Sequence, residues 1–351
     1  MKGVSLTMLV FCSDAHRAHN PVQPHLFGGE HLPPKEVPER VERILNALKE
    51  MDSTQVRGPE ALDSEILSSV HSLDYLGFLE HAHARWCDQT GGDISDEAMP
   101  FVRPAVGQPF GHPTSVLAQL GRYSNDSDPI LSGTWQAALG AAACAASAAR
   151  SVLEGESHMA YALTRPPGHH AGPDFFGGYC YLNNTAIAAE LSVRQGARVV
   201  TLDVDTHAGN GTQAIFWSRK DVMCVSIHGD PNTEYPFFQG YSNEIGGGEG
   251  LGYNHNLPLP TGSDWDSYSR RLEEACQLVT NFGPDLIVVA LGVDTAIEDG
   301  VLGLKGDDFR LLGTRLAKLG KPTVLVQEGG YDLTVLGKNV AATIEGFEQS
   351  A

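Results

Sequence analysis

Asp203, Asp205 and His207 stand at alternate positions near the end of the run RVVTLDVDTHAGNGTQ, residues 198–213. The run opens with apolar, β-branched residues, which reads as a strand buried on both faces of a parallel sheet. Carboxylates in such a strand are costly to desolvate unless something compensates them. At the carboxyl end of a parallel strand the compensation is often a ligand or a metal. Taken alone, the three residues fit an Asp-rich turn closing a strand equally well.

Three further strand ends carry polar groups. Residues 159–164 run into Arg165-Pro166-Pro167-Gly168-His169-His170, residues 286–294 close on Gly292-Val293-Asp294, and residues 322–327 are followed by Glu328-Gly329-Gly330-Tyr331. Each is weak by itself. Paired histidines after a proline turn are more often surface than catalytic, and an Asp after a buried strand is commonly a helix cap. In a parallel sheet, however, all four ends lie along one edge, where ligands bind. Asp205, His207 and Asp294 then supply two oxygens and one nitrogen, leaving a tetrahedral Zn²⁺ one open position. A catalytic metal needs that position to acidify a water and polarise a carbonyl. His169 and His170 can move protons near neutral pH. Asp203 points the same way as Asp205 and can orient an imidazole. Tyr331 offers a neutral O–H to a developing oxyanion. The chemistry implied is metal-assisted hydrolysis of an amide.

The elements that must position these groups alternate between strand and helix. Residues 8–13 read as a first strand, and 37–48, 71–86, 133–153 and 181–193 as helices. The central strand follows, then a strand at 222–228, a helix at 266–281, the strand ending at Asp294, a helix at 307–319, the last strand and a closing helix at 333–347. The expected fold is a single α/β domain over residues 1–351, a mainly parallel β-sheet flanked by helices. Two stretches resist assignment: a polar, His- and Pro-rich segment at 13–34, and a long loop at 88–132 with prolines from Pro100 to Pro129. Loops this long in a compact domain are functional or disordered. The glycines of 246–250 form no phosphate cradle, because no helix start follows them.

Composition narrows the class. The 351 residues are 42% hydrophobic with 39 glycines, which suits a globular protein rich in tight loops. A formal net charge of −19, without a dense Lys/Arg cluster, argues against nucleic acid or an acidic membrane as partner. The acidity either attracts cationic substrates or serves solubility alone. Six cysteines without CxxC spacing read as free thiols of a reducing compartment. The N-terminus reads as a strand and not a signal peptide, and no run is long enough to span a membrane. A cytoplasmic protein is expected.

The ordered motifs RPPGHHAG, GGYCYLNN, LDVDTHAGNGTQ, LGVDT and EGGYD resemble the zinc-dependent deacetylases of the arginase/histone deacetylase superfamily. VPERVERIL and VHSLDYLGFLE extend the resemblance to nearly the whole chain, and FGGEHLPP and SIHGDPNTEYP are most similar to bacterial acetylpolyamine amidohydrolases. The resemblance implies Zn²⁺ on Asp205, His207 and Asp294, one ion per chain, with His170 as general base and acid and Asn210 beside it. His169 is implied as its electrostatic partner, oriented by Asp203, and Tyr331 as the carbonyl contact. Gly178 would accept from the scissile N–H through its carbonyl, and Tyr179 and Tyr235 would wall a narrow tunnel. Asp203, Asp205, His207, Ser226 and Ile227 match a structural K⁺ site. An arginase-type manganese pair would need a carboxylate just beyond His207, which Gly209 cannot supply. The family also implies a homodimer built through the 88–132 loop. Two departures stand out. Ala208 replaces a usual second histidine, which implies an altered pocket floor. In the loop, Leu117 falls where the polyamine enzymes carry one substrate-greeting carboxylate, and Asp128 falls near the other. The implied activity is deacetylation of acetylpolyamines or similar acetylated amines; the alternatives are hydrolysis of neutral small N-alkyl amides and deacetylation of protein acetyl-lysine.

Overall fold

A computed structural model of the protein describes residues 8–27, 30–51, 54–105 and 111–350. Gly28 and Gly29 of the FGGEHLPP segment and residues 106–110 of the long loop lie outside the described residues. Ten strands are present among those described: β1 Met8–Cys12, β2 His25–Phe27, β3 Glu30–Leu32, β4 Thr54–Arg57, β5 Met159–Leu163, β6 Val199–Asp203, β7 Val222–Gly229, β8 Asn254–Leu259, β9 Leu286–Leu291 and β10 Thr323–Gln327. Eight of them form one sheet in the order β4-β1-β5-β10-β9-β6-β7-β8. Every pairing in it is parallel. Strands β5, β10, β9 and β6 are buried along their whole length, which explains their mainly apolar sequence.

Alternate side chains of each strand enter two separate cores. Leu9, Phe11, Ala160, Ala162, Val288, Val324 and Val326 face one side. Val10, Tyr161, Leu163, Ile287, Val289, Leu291 and Leu325 face the other. The first core is covered by helices α2 Ser64–Val70, α3 Leu73–Thr90, α5 Thr134–Leu153 and α6 Asn184–Arg194, with α4 Val116–Arg122 on α3. The second is covered by α1 Glu39–Leu48, α8 Trp265–Phe282, α9 Gly306–Ala317 and α10 Leu336–Glu348. The alanine run of α5 meets Ala160 and Ala162, so small residues on both partners bring helix and sheet close together. The result is the expected α/β domain with a parallel sheet between helical layers.

Several elements depart from the sequence reading. Helix α7, Asn210–Phe216, which the sequence reading did not assign, begins within Gly209-Asn210-Gly211 after β6 has ended at Asp203. A Cβ on Gly211 would lie 2.3 Å from the Ala171 carbonyl oxygen, so that glycine allows close approach and not a turn. The segment 13–34 holds a short 3-10 turn and the β2–β3 hairpin. The 88–132 loop includes α4 and a backbone bridge from Ala98 to Ile130. Strand β9 ends at Leu291, three residues before Asp294.

Candidate active site

Strands β5, β10, β9 and β6, which carry the four polar ends, are the four adjacent strands at the centre of the sheet. Their parallel direction brings every end to one edge, the usual place for a site in such folds. Asp205, His207 and Asp294 meet there, with ligand atoms all within 4.8 Å of one another. His207 Nδ1 lies 3.2 Å from Asp205 Oδ1 and 3.2 Å from Asp294 Oδ2. The remaining carboxylate oxygens are committed: Asp205 Oδ2 accepts from Gly329 N–H at 2.8 Å, and Asp294 Oδ1 from Thr206 N–H at 3.0 Å. A single Nδ1–H cannot serve both facing oxygens, and Asp294 Oδ2 is buried without a hydrogen bond. Such an orphan oxygen beside a second carboxylate and an imidazole fits a cation. Burial works against the His207 imidazolium, yet Asp205 and Asp294 lift it to about 10, a second sign that the pocket favours positive charge.

Glycines make this convergence possible. A Cβ on Gly292 would lie 2.0 Å from Asp205 Oδ2, and one on Gly329 would lie 2.3 Å from Asp294 Oδ2. Gly209 is equally tight against Asp203 Oδ2, at 2.3 Å.

The two histidines of the proline turn touch, with ring centroids 4.0 Å apart. His169 Nδ1 meets Asp203 Oδ2 at 2.9 Å, and Asp203 Oδ1 accepts from Asp205 N–H at 3.0 Å. His170 Nδ1 meets Asn210 Oδ1 at 2.7 Å, so its proton sits on Nδ1 and its lone pair on Nε2. Burial penalises both imidazolium forms, but Asp205 and Asp203 outweigh it at His169 and hold that pKa well above the usual value. At His170, burial and the charges of His169 and His207 push the pKa well below it. One histidine is cationic and its neighbour neutral, the split that separates an electrostatic partner from a base.

Tyr331 is half-buried, its ring 5.6 Å from that of Tyr179. Burial holds its phenol well above the ordinary pKa against the pull of Arg40, so it is a neutral donor. Tyr235 stands 4.9 Å from His170 and 6.0 Å from His207, with its hydroxyl buried and unpartnered. Gly178 has φ 57, and a Cβ there would strike His170 Cδ2 at 2.3 Å. Its carbonyl accepts from the Cys180 thiol at 3.3 Å. Ser226 sits opposite Asp203 in the β6–β7 register, next to Ile227, and its Oγ meets His228 Nδ1 at 2.7 Å.

The two departures from the motif pattern have the following surroundings. Ala208 is 2% exposed, and a Cβ on Gly240 would lie 2.7 Å from its own Cβ, so Ala208 packs on Gly240. Asp128 is 2% exposed and accepts from Tyr179 N–H at 3.0 Å, which fixes the backbone at that residue. Burial and Asp126 raise its pKa well above the ordinary value. Leu117 is half-buried on α4 and takes part in none of the contacts described above. Asp126 is half-exposed beside Gly177 and close to the Tyr235 hydroxyl: a Cβ on Gly177 would lie 3.3 Å from Asp126 Cβ and 3.2 Å from Tyr235 Oη.

Sequence reasoning missed three supporting residues. Glu328 is fully buried; Oε2 accepts from Gly168 N–H at 2.6 Å and His169 N–H at 3.1 Å, and Oε1 from Thr185 Oγ1 at 2.8 Å. Burial lifts its pKa to about 7. Arg40 donates to Gly330 O at 2.6 Å and Glu328 O at 2.5 Å and lies 4.7 Å over the Tyr331 ring, with Glu36 pairing it at 2.9 Å. Arg40 shares the apolar stripe of α1 with Ile44 and Leu48, and a charge on such a stripe is the signal that was available. Asp299 accepts from the backbone N–H groups of Tyr331 and Asp332.

A histone deacetylase domain matches residues 34–347. The chain belongs to the histone deacetylase family. Within that family it is 44% identical over 349 residues to acetylpolyamine amidohydrolase 1 of Pseudomonas aeruginosa, covering 98% of this chain and 100% of the relative. It is 40% identical over 343 residues to the acetylpolyamine amidohydrolase of Mycoplana ramosa, covering 97% and 99%. The crystal structure of acetylpolyamine aminohydrolase from Burkholderia pseudomallei superposes with a TM-score of 0.88 at 40% identity, covering 98% of this chain and 99% of that one. Membership of the histone deacetylase family makes the protein a hydrolytic deacetylase.

Proposed function

We propose that this histone deacetylase family member is a zinc-dependent hydrolase that removes acetyl groups from acetylpolyamines or similar small acetylated amines. One observation carries the reading: the inward-facing Asp205, Asp294 and His207 set, with an orphan carboxylate oxygen, lies beside a histidine pair whose surroundings favour one cationic and one neutral ring, and beside a neutral tyrosine. A Zn²⁺ held by Asp205, His207 and Asp294 would acidify a water and polarise the acetyl carbonyl. His170 Nε2, unprotonated, is placed to accept a proton from an attacking water and to return it to the leaving nitrogen. His169, kept cationic by Asp203 and Asp205, steadies the negative charge that develops. Tyr331 donates its O–H to the carbonyl oxygen, and the Gly178 carbonyl accepts from the scissile N–H. Tyr179 and Tyr235 exclude water along the acyl-amine chain. Asp203, Asp205, His207, Ser226 and Ile227 are proposed to hold a structural K⁺ that braces the β6 end. The protein is proposed to be cytoplasmic and a homodimer, without nucleic acid or membrane partners; no helix among the described residues is long and apolar enough to cross a membrane.

The burial of Asp128 favours a second reading, hydrolysis of neutral N-alkyl amides. With that carboxyl turned onto Tyr179 and shifted toward its neutral form, Asp126 is left as the acidic group beside the Tyr235 hydroxyl. The test compares kcat/KM for N-acetylputrescine, an acetyl-lysine peptide and an uncharged N-alkyl acetamide at low and high salt. Preference for N-acetylputrescine that weakens as salt screens Asp126 supports the first reading. A salt-independent preference for the uncharged amide rejects it.

A further inference from the structure

We propose that Asp299 is a positioning residue for catalysis: it clasps the backbone of the Tyr331 loop and ties that hydroxyl to the loop carrying the metal ligand Asp294. The proposal rests on Tyr331 being the contact for the substrate carbonyl.

Asp299 Oδ1 accepts two hydrogen bonds, from Tyr331 N–H at 3.1 Å and Asp332 N–H at 3.0 Å. Both fall on one oxygen, and they hold although burial and the Asp294 charge push the carboxyl up to about 7. Asp299 stands in the segment that leaves β9 through Asp294, and this segment is itself pinned. Val293 N–H donates to Gly329 O at 3.1 Å, Asp299 N–H to Ala296 O at 3.0 Å, and Ile297 N–H to Leu304 O at 2.9 Å. The tyrosine loop is therefore gripped from two sides. Arg40 holds the carbonyls of Glu328 and Gly330, and Asp299 holds the amides of Tyr331 and Asp332.

The two grips meet on one peptide group, the Gly330 carbonyl held by Arg40 and the Tyr331 N–H held by Asp299, and Gly330 itself has φ 124. That is a region only glycine visits freely, and it gives the loop a soft joint immediately before the catalytic ring. Asp332 begins the turn into α10, where Leu336 N–H donates to Asp332 O at 2.9 Å. Without Asp299, the stretch between the glycine joint and α10 keeps the Arg40 contacts but loses its fixed amides. A hydroxyl displaced by about 1 Å costs on the order of a hundredfold in rate where positioning matters.

The experiment uses the zinc-loaded enzyme and either N-acetylputrescine or an acetyl-lysine peptide, whichever the native enzyme turns over faster. Asp299→Ala should lower kcat about 10- to 100-fold, with KM, zinc content and Tm close to native. Asp299→Asn should keep most of the activity, because its amide oxygen still accepts both N–H bonds. In a Tyr331→Phe background, Asp299→Ala should cost almost nothing more, since the hydroxyl it positions is gone. Hydrogen exchange at the Tyr331 and Asp332 amides should speed up in the Ala variant and not in the Asn variant. Equal losses from Asp299→Ala in both backgrounds, an unchanged kcat, or a fall in Tm with loss of zinc would each overturn the proposal. A fully active Tyr331→Phe enzyme would instead remove the assigned role of Tyr331, and the clasp with it.

Discussion

At the scale of single residues, His169 and His170 differ only in what surrounds them. Two carboxylates face the first, and two imidazoles face the second. Removing the neutral one, as His170→Ala, should cut kcat by about 10²- to 10⁴-fold, the usual worth of a placed general base. Tyr331→Phe should cut it by about 10²- to 10³-fold, as for one oxyanion donor. Both variants should keep their metal, and stopped-assay kcat beside elemental analysis measures the pair; near-native turnover in either would require a different catalytic arrangement. Asp205→Ala should do the reverse and release the ion, because it removes a ligand and leaves Asp294 with a single imidazole partner. Full zinc occupancy in that variant would contradict the assigned ligand set. These positions were legible in the sequence because a polar residue at the end of an apolar strand has few structural uses. The parts played by Arg40, Asp299 and Glu328, although Glu328 also stands at a strand end, were not, because each works through backbone groups of a distant segment. Arg40, for example, bonds the carbonyls of Glu328 and Gly330, nearly the full length of the chain away.

The scale of elements repeats this division. Strands β5, β6, β9 and β10 and helix α5 announce themselves through apolar or alanine runs whose partners are equally plain. Strand β8 does not: its buried Asn254 and Asn256 both donate to Gln213 Oε1, at 2.9 and 2.8 Å, so its polarity is satisfied by α7 and invisible to hydropathy. His71, between α2 and α3, is a buried structural histidine of the same kind. Its Nδ1 meets Gly172 O at 2.8 Å, and its Nε2 accepts Asn183 N–H at 2.9 Å, which demands the neutral form. Burial pushes its pKa down to about 4, against about 6.5 in an unfolded chain. Between those values the unfolded chain binds the additional proton, so this stability is whole above pH 6.5 and lost as pH falls toward 4. At pH 5 the loss is about 2 kcal/mol. Glutamine can donate to Gly172 O and accept from Asn183 without titrating. Urea unfolding at pH 7.5 and pH 5 should therefore show the native protein losing about 2 kcal/mol more than His71→Gln. Equal losses would mean that His71 is not held neutral by these two bonds.

For the whole molecule, the governing quantity is charge. With 43 acidic and 24 basic residues the chain carries −19, so two copies repel each other unless they meet on a face without carboxylates. The sequence has one such stretch in its long loop: from Pro100 to Arg122 there is no Asp or Glu, while Arg103, His112 and Arg122 fall within it. The structure gives that stretch two further properties of an interface. Phe101 is 72% exposed and Val102 49%, an apolar pair at the surface. Beside them Arg103, Pro104, His112, Pro113, Ala118 and Arg122 line a cleft of about 380 Å³ with room for a partner's side chains. What the sequence could not display is that, among the described residues of this loop, 116–122 form α4 and Ala98 bridges to Ile130. If two copies meet here, contact is apolar and the remaining charge opposes it, so raising salt should tighten the dimer, the opposite of an interface held by ion pairs. Light scattering after size exclusion should give twice the chain mass, with dissociation on dilution occurring more readily at low salt. Phe101→Asp places a carboxylate in a loop stretch that lacks them and should yield monomer with an intact fold by circular dichroism. A native protein that elutes at the mass of one chain under all salts, or a Phe101→Asp variant that remains dimeric, would place the loop outside any self-association.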